Sequence, residues 1–61
     1  MKVLIVDDEQ DSRDSLSRFV AKYCPQLEIV QACANIMEAE KAIQTHTPQL
    51  VFLDIEMPYG N

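Results

Sequence analysis

Two short apolar runs in this chain each end on acid. Val3-Leu4-Ile5-Val6 leads into Asp7-Asp8-Glu9, and Leu50-Val51-Phe52-Leu53 leads into Asp54. A continuous apolar run of this length reads as a strand buried on both faces of a parallel sheet. Ligands of such a sheet bind outside the carboxyl ends of its strands, which is the edge where these acids emerge. Neighbouring strands lie about 4.8 Å apart, so the acids share one site if the first and third strands are neighbours. Clustered carboxylates repel one another, and a divalent cation relieves the repulsion. Oxygen-only donors completed by water suit Mg2+ or Mn2+ better than Zn2+. Asp7, Asp8 and Asp54 are the candidate ligands. One carboxylate can then attack a phosphoryl group and form an acyl phosphate while the metal shields the incoming charge. Asp54 is the candidate nucleophile, because a stiff buried strand fixes its position and the loop after it leaves room for a phosphoryl group.

The segments between these runs must position them. Leu16, Phe19, Val20 and Tyr23 fall at i, i+3, i+4 and i+7, the stripe of an amphipathic helix. Asp11 and Asp14 crowd its start and Lys22 its end, as the helix dipole favours, and Pro25 stops it. Leu27 to Cys33 has strand character, centred on Ile29 and Val30. Asn35 opens a second helix. With Glu38 three residues on, it forms a capping box in which each side chain bonds the other's backbone N–H. Ile36, Ala39, Ala42 and Ile43 make the apolar stripe, and Thr47-Pro48 ends the helix. Leu50 to Leu53 is the third strand. The order is β-α-β-α-β with short connections, an α/β arrangement whose crossovers are right-handed by strong default.

With 61 residues the chain is one small domain or a piece of a larger one, since little surface can be buried at this length. Its 48% apolar and 25% charged residues place it with globular rather than disordered sequences. The net charge of -5 repels nucleic acid, and half the acids (Asp7, Asp8, Glu9, Asp11 and Asp14) sit together. Cys24 and Cys33 match no metal spacing or disulfide framework, which points to a reduced, cytoplasmic setting. No apolar run reaches the length of a membrane span or a signal peptide's core. Simpler roles compete for several residues. Asp8 or Asp11 can be a helix N-cap and Asp54 a turn residue. Arg13 reads as a solvated residue on the exposed side of the first helix, His46 as a surface residue at a helix end, and Cys33 as a buried thiol.

The run Lys2-Val-Leu-Ile-Val-Asp-Asp-Glu9 resembles the opening strand and acidic pair of the receiver domain of two-component response regulators. Leu53-Asp-Ile-Glu-Met-Pro58 resembles that family's phosphoacceptor segment, and Gly60 fits the loop that follows. The resemblance covers residues 1–61 and about the first half of such a domain. It implies a flavodoxin-like sheet with local strand order 2-1-3. It also implies phosphorylation of Asp54 by a sensor histidine kinase or a small phosphodonor. Asp8 would bind Mg2+ directly, Asp7 through water, and Glu56 through its backbone carbonyl. Phosphorylation would shift a surface used by an output domain, and a LytTR-type DNA-binding output is one reading of the run Asp54 to Asn61.

The family's fourth-strand Ser or Thr, its fifth-strand Lys and its aromatic switch residue have no counterpart here. The expectation is therefore a phosphoacceptor segment truncated after the third strand, not an enzyme. On that expectation the third strand is an open edge and Phe19 and Tyr23 are under-covered, so the fragment should dimerise or exchange strands. Two alternatives stand beside this reading. One is an aspartyl-phosphate hydrolase of the haloacid dehalogenase type, with Asp54 and Glu56 as its acids. The other is a non-catalytic assembly fragment.

Overall fold

A computed structural model describes residues 1–54. Three strands and two helices alternate along the chain: β1 (Lys2–Asp7), α1 (Gln10–Tyr23), β2 (Glu28–Cys33), α2 (Ile36–His46) and β3 (Leu50–Asp54). The strands form one parallel sheet in the order β2-β1-β3, the flavodoxin-like local order that the resemblance implies. β1 is central, and its residues from Val3 to Asp7 are all buried. Its apolar run is therefore sandwiched, as its composition predicts. Leu4 and Val6 pack with Cys33 of β2 and with Ala39 and Ala42 of α2. Side chains alternate along a strand, so Val3, Ile5 and Asp7 face the other way. Buried Val20 belongs to α1, which packs against β1 and β2 without touching α2. The two helices thus cover opposite faces, as right-handed crossovers in this strand order require.

The helix boundaries follow local chemistry. Asn35 Oδ1 accepts from the Glu38 N–H at 2.9 Å, the first half of the expected capping box. The second half is shifted by one residue: Glu38 Oε1 accepts from the Ala34 N–H at 3.0 Å, not from Asn35's own. α1 ends where the Cys24 N–H bonds the Val20 carbonyl, one residue before Pro25. α2 ends at Thr47, whose φ of 46° is left-handed. A β-branched residue is strained there, but Pro48 blocks another helical turn and Thr47 Oγ1 donates to the His46 carbonyl. At the amino ends of the strands, the Glu28 N–H bonds the Met1 carbonyl and the Gln49 N–H bonds the Lys2 carbonyl. These ties fix where β2 and β3 start relative to β1.

The expected burial needs two corrections, on β3 and on α2. β3 is not a buried strand: Leu50, Val51, Leu53 and Asp54 are exposed and Phe52 is half-buried. It is an edge strand, and neither helix packs on it. On α2 only Ala39 and Ala42 are buried, while Ile36 and Ile43 are about half exposed, because that helix rests on β1 and β2 alone. On α1 only Val20 is buried, Leu16 is half-buried, and Phe19 and Tyr23 are 56% and 61% exposed. The under-covering expected of these two aromatics is observed. Their rings lie 4.9 Å apart, so each shields part of the other.

Candidate functional site

The β1–β3 register pairs Val3 with Leu50 and runs without a shift to Asp7 opposite Asp54. Residues opposed across neighbouring strands point to the same face, about 4.8 Å apart along the sheet. The tips of the first and third strands therefore meet, and each delivers a carboxylate. Asp7 and Asp54 open onto one cleft of about 410 Å3, whose other walls are Ser12, Ser15, Leu16 and Phe19 of α1. The two acids differ in environment. Asp7 is only 5% exposed, whereas Asp54, on the edge strand, is open to solvent.

The chain turns from β1 into α1 over Asp8 and Glu9, and Asp7 organises that corner. Its Oδ1 accepts from the Glu9 N–H at 2.9 Å, a side-chain turn closed two residues on. Among the described residues no fully buried side-chain oxygen or nitrogen lacks a partner, and Asp7 meets this through its Oδ1 bond while facing the cleft. The N-cap of α1 is Glu9, acting through its backbone without a side-chain bond, and Asp11 sits inside the first turn. The capping role open to Asp8 or Asp11 is therefore filled by neither. Asp8 occupies the bend between strand and helix and is exposed. Arg13 is not simply solvated: it is half-buried and Nη1 donates to the Asp7 carbonyl at 2.7 Å.

The donors suit a hard cation in kind, since every candidate ligand is an oxygen, from the carboxylates of Asp7, Asp8 and Asp54 or the Glu56 backbone carbonyl. Among the described residues, however, no three acidic, histidine or cysteine side chains gather closely enough to hold a metal ion. Asp7 and Asp54 are brought together, and Asp8 stands one residue further along. Glu56 lies outside the described residues. Elsewhere, burial and then the nearby Glu38 charge push the Cys33 thiol above its ordinary value of 9.0, which keeps it protonated and unreactive. His46 ends α2 and is half-buried. Ser12, Ser15 and Arg13 do not stand out as site residues by type. Spacing held a signal for the serines, which sit one helical turn before Leu16 and Phe19 on the same face.

Among the described residues no helix is long and apolar enough to cross a membrane. The family model described as the response regulator receiver domain matches residues 3–61. An uncharacterized response regulatory protein of Yersinia pestis is 47% identical over 61 residues, which is 100% of this chain and 25% of that protein. The transcriptional regulatory protein BtsR of Salmonella typhi is 47% identical over 58 residues, 95% of this chain and 24% of its own length. BtsR of Escherichia coli K12 is 43% identical over the same share of each. The chain thus spans about a quarter of the length of the curated relatives it matches. No solved structure gives a significant match. The family match displaces the hydrolase alternative, and its extent leaves one assignment: the chain belongs to the receiver domains of two-component response regulators.

Proposed function

We propose that residues 1–61 form the N-terminal portion of a receiver domain that accepts a phosphoryl group on Asp54. The donor is a sensor histidine kinase or a small phosphodonor. One observation carries the reading: Asp7 and Asp54 end neighbouring strands in register, with Asp54 exposed at an open cleft. In the transfer an Asp54 oxygen attacks phosphorus and a P–O bond forms. The donor's P–N or P–O bond breaks and the leaving atom keeps the electron pair; a leaving imidazole nitrogen takes up a proton, whereas a leaving carboxylate departs as the anion. Exposure leaves Asp54 open to solvent, where a donor can reach it. Burial and the Glu9 bond hold Asp7 beside it, so the geometry is set before the donor arrives.

Asp8 would hold Mg2+ directly and Asp7 through water, with Asp54 and the Glu56 backbone carbonyl as further ligands. The ion, when bound, supplies positive charge that offsets the repulsion between the acids and the incoming phosphoryl oxygens. The chain on this reading is a cytoplasmic phosphoacceptor rather than a turnover enzyme. Because BtsR is named a transcriptional regulatory protein, the output we assign to the parent protein is control of transcription through a DNA-binding domain. The test is uptake of label from radioactive acetyl phosphate with Mg2+, comparing the parent protein with Asp54→Asn. Hydroxylamine-labile label on the unaltered protein and none on the variant is the expected result. Equal labelling of both would show that Asp54 is not the acceptor.

A second reading is favoured by the exposed apolar groups on α1 and β3. Phe19, Tyr23, Leu50 and Leu53 are solvent-facing, and β3 has no partner on its outer side among the described residues. Such an edge recruits another strand, so the 61-residue chain alone would pair with a second copy. Light scattering after size exclusion reads this directly. A monomer at high concentration would rule it out.

A further inference from the structure

We propose that Arg13 is a positioning residue for Asp8, an inference that rests on reading Asp8 as a cation ligand. The Asp7 carbonyl that Arg13 Nη1 bonds at 2.7 Å belongs to the peptide plane joining Asp7 to Asp8. The Glu9 N–H that bonds Asp7 Oδ1 at 2.9 Å belongs to the next plane, joining Asp8 to Glu9. Both planes that flank Asp8 are therefore tied. Peptide units are rigid, so the orientations of these two planes set φ and ψ of Asp8. Only its side-chain torsions stay open, so the Cα–Cβ bond that carries its exposed carboxylate leaves the corner in a fixed direction. Released from either tie, the bend is free to rotate and to change that direction.

Arg13 is suited to this by its base and its head. Its own N–H closes the first turn of α1 on the Glu9 carbonyl at 3.1 Å, and the helix is seated on the sheet by buried Val20. A planar guanidinium presents donors in a rigid fork, so a bond to one carbonyl fixes direction as well as distance. Its charge works the other way. A cation beside the acids is repelled by Arg13, so electrostatics alone predicts tighter metal binding once that charge is removed. Positioning predicts weaker binding. The two explanations differ in sign.

The experiment titrates Mn2+ into the full-length protein and follows free ion by electron paramagnetic resonance. It compares the unaltered protein with Arg13→Ala, Arg13→Lys, Asp8→Asn and the Asp8→Asn/Arg13→Ala double variant, recording metal-free melting temperatures in parallel. Arg13→Ala should weaken Mn2+ binding about tenfold, the usual scale for residues that orient a ligand, and Lys should recover part of the loss. In the Asp8→Asn background Arg13→Ala should add little, because there is no longer a ligand to orient. Should Arg13→Ala not fold, Arg13→Gln takes its place with the same outcomes. Unchanged or tighter binding in the Arg13 variant, or full additivity in the double variant, overturns the proposal. If Asp8→Asn alone leaves Mn2+ binding intact, the ligand assignment of Asp8 has failed, and the Arg13 proposal fails with it.

Discussion

Replacing Asp7 by Asn should make the metal-free protein more stable and its response to Mg2+ smaller. Asn keeps the shape and the Oδ1 acceptor that bonds the Glu9 N–H, so packing and the corner at Glu9 persist. What is lost is one of two negative charges on neighbouring strand ends. Two unit charges about 5 Å apart repel by roughly 3 kcal/mol at an effective dielectric of about 20, and by roughly 1 kcal/mol in water. Asp54 is exposed, so the lower figure applies. The lost charge also stood near the start of α1, where it is worth a few tenths of a kcal/mol to the helix dipole. The net gain without metal is then about 0.5 kcal/mol. With Mg2+ at about 100 times its dissociation constant, binding stabilises the unaltered protein by about 2.7 kcal/mol. A tenfold weaker site loses about 1.4 kcal/mol of that, so the order of stability should reverse. Urea unfolding followed by circular dichroism, in EDTA and in Mg2+, measures both arms. A variant less stable than the unaltered protein in EDTA would refute the repulsion. Equal gains from Mg2+ would refute a role for Asp7 at the ion.

Asn35→Ala removes the side-chain acceptor of the Glu38 N–H and should cost about 1 kcal/mol in urea unfolding, with Asn35→Ser recovering most of it. The raised Cys33 thiol gives an alkaline dependence: the folded protein keeps that proton where the unfolded chain loses it. Its contribution is whole below 9.0 and declines as pH climbs through the folded value. Cys33→Ala should therefore unfold with a flatter alkaline slope in urea titrations between about pH 8 and 10.5, and matching slopes would contradict the assignment. Leu53 is 63% exposed on the edge strand, so Leu53→Lys should suppress any self-association of the 61-residue chain seen by light scattering.

Much of this protein is written locally. The apolar run of β1, the helical spacing of Leu16 and Val20, the Asn35–Glu38 cap and the stops at Pro25 and Pro48 involve residues a few positions apart. Short-range sterics and hydrogen bonding decide them, so element types and order can be read along the chain. The placement of Asp7 and Asp54 after apolar runs is equally local, and it marks the acids as candidates. Their meeting is not local. It depends on β3 pairing with β1 in a register that begins at Val3 and Leu50. The register shift between β1 and β2 is likewise invisible in one dimension. It bulges the sheet at Val30 and sets Cys33, rather than Ala32, beside Val6 in the core. Arg13 shows the limit most clearly: its type and spacing read as a solvated helix residue, and only the folded corner brings its guanidinium to the Asp7 carbonyl. The exposure of β3, Phe19 and Tyr23 was also decided by which surfaces the two helices reach, because burial belongs to pairs of elements and not to either alone.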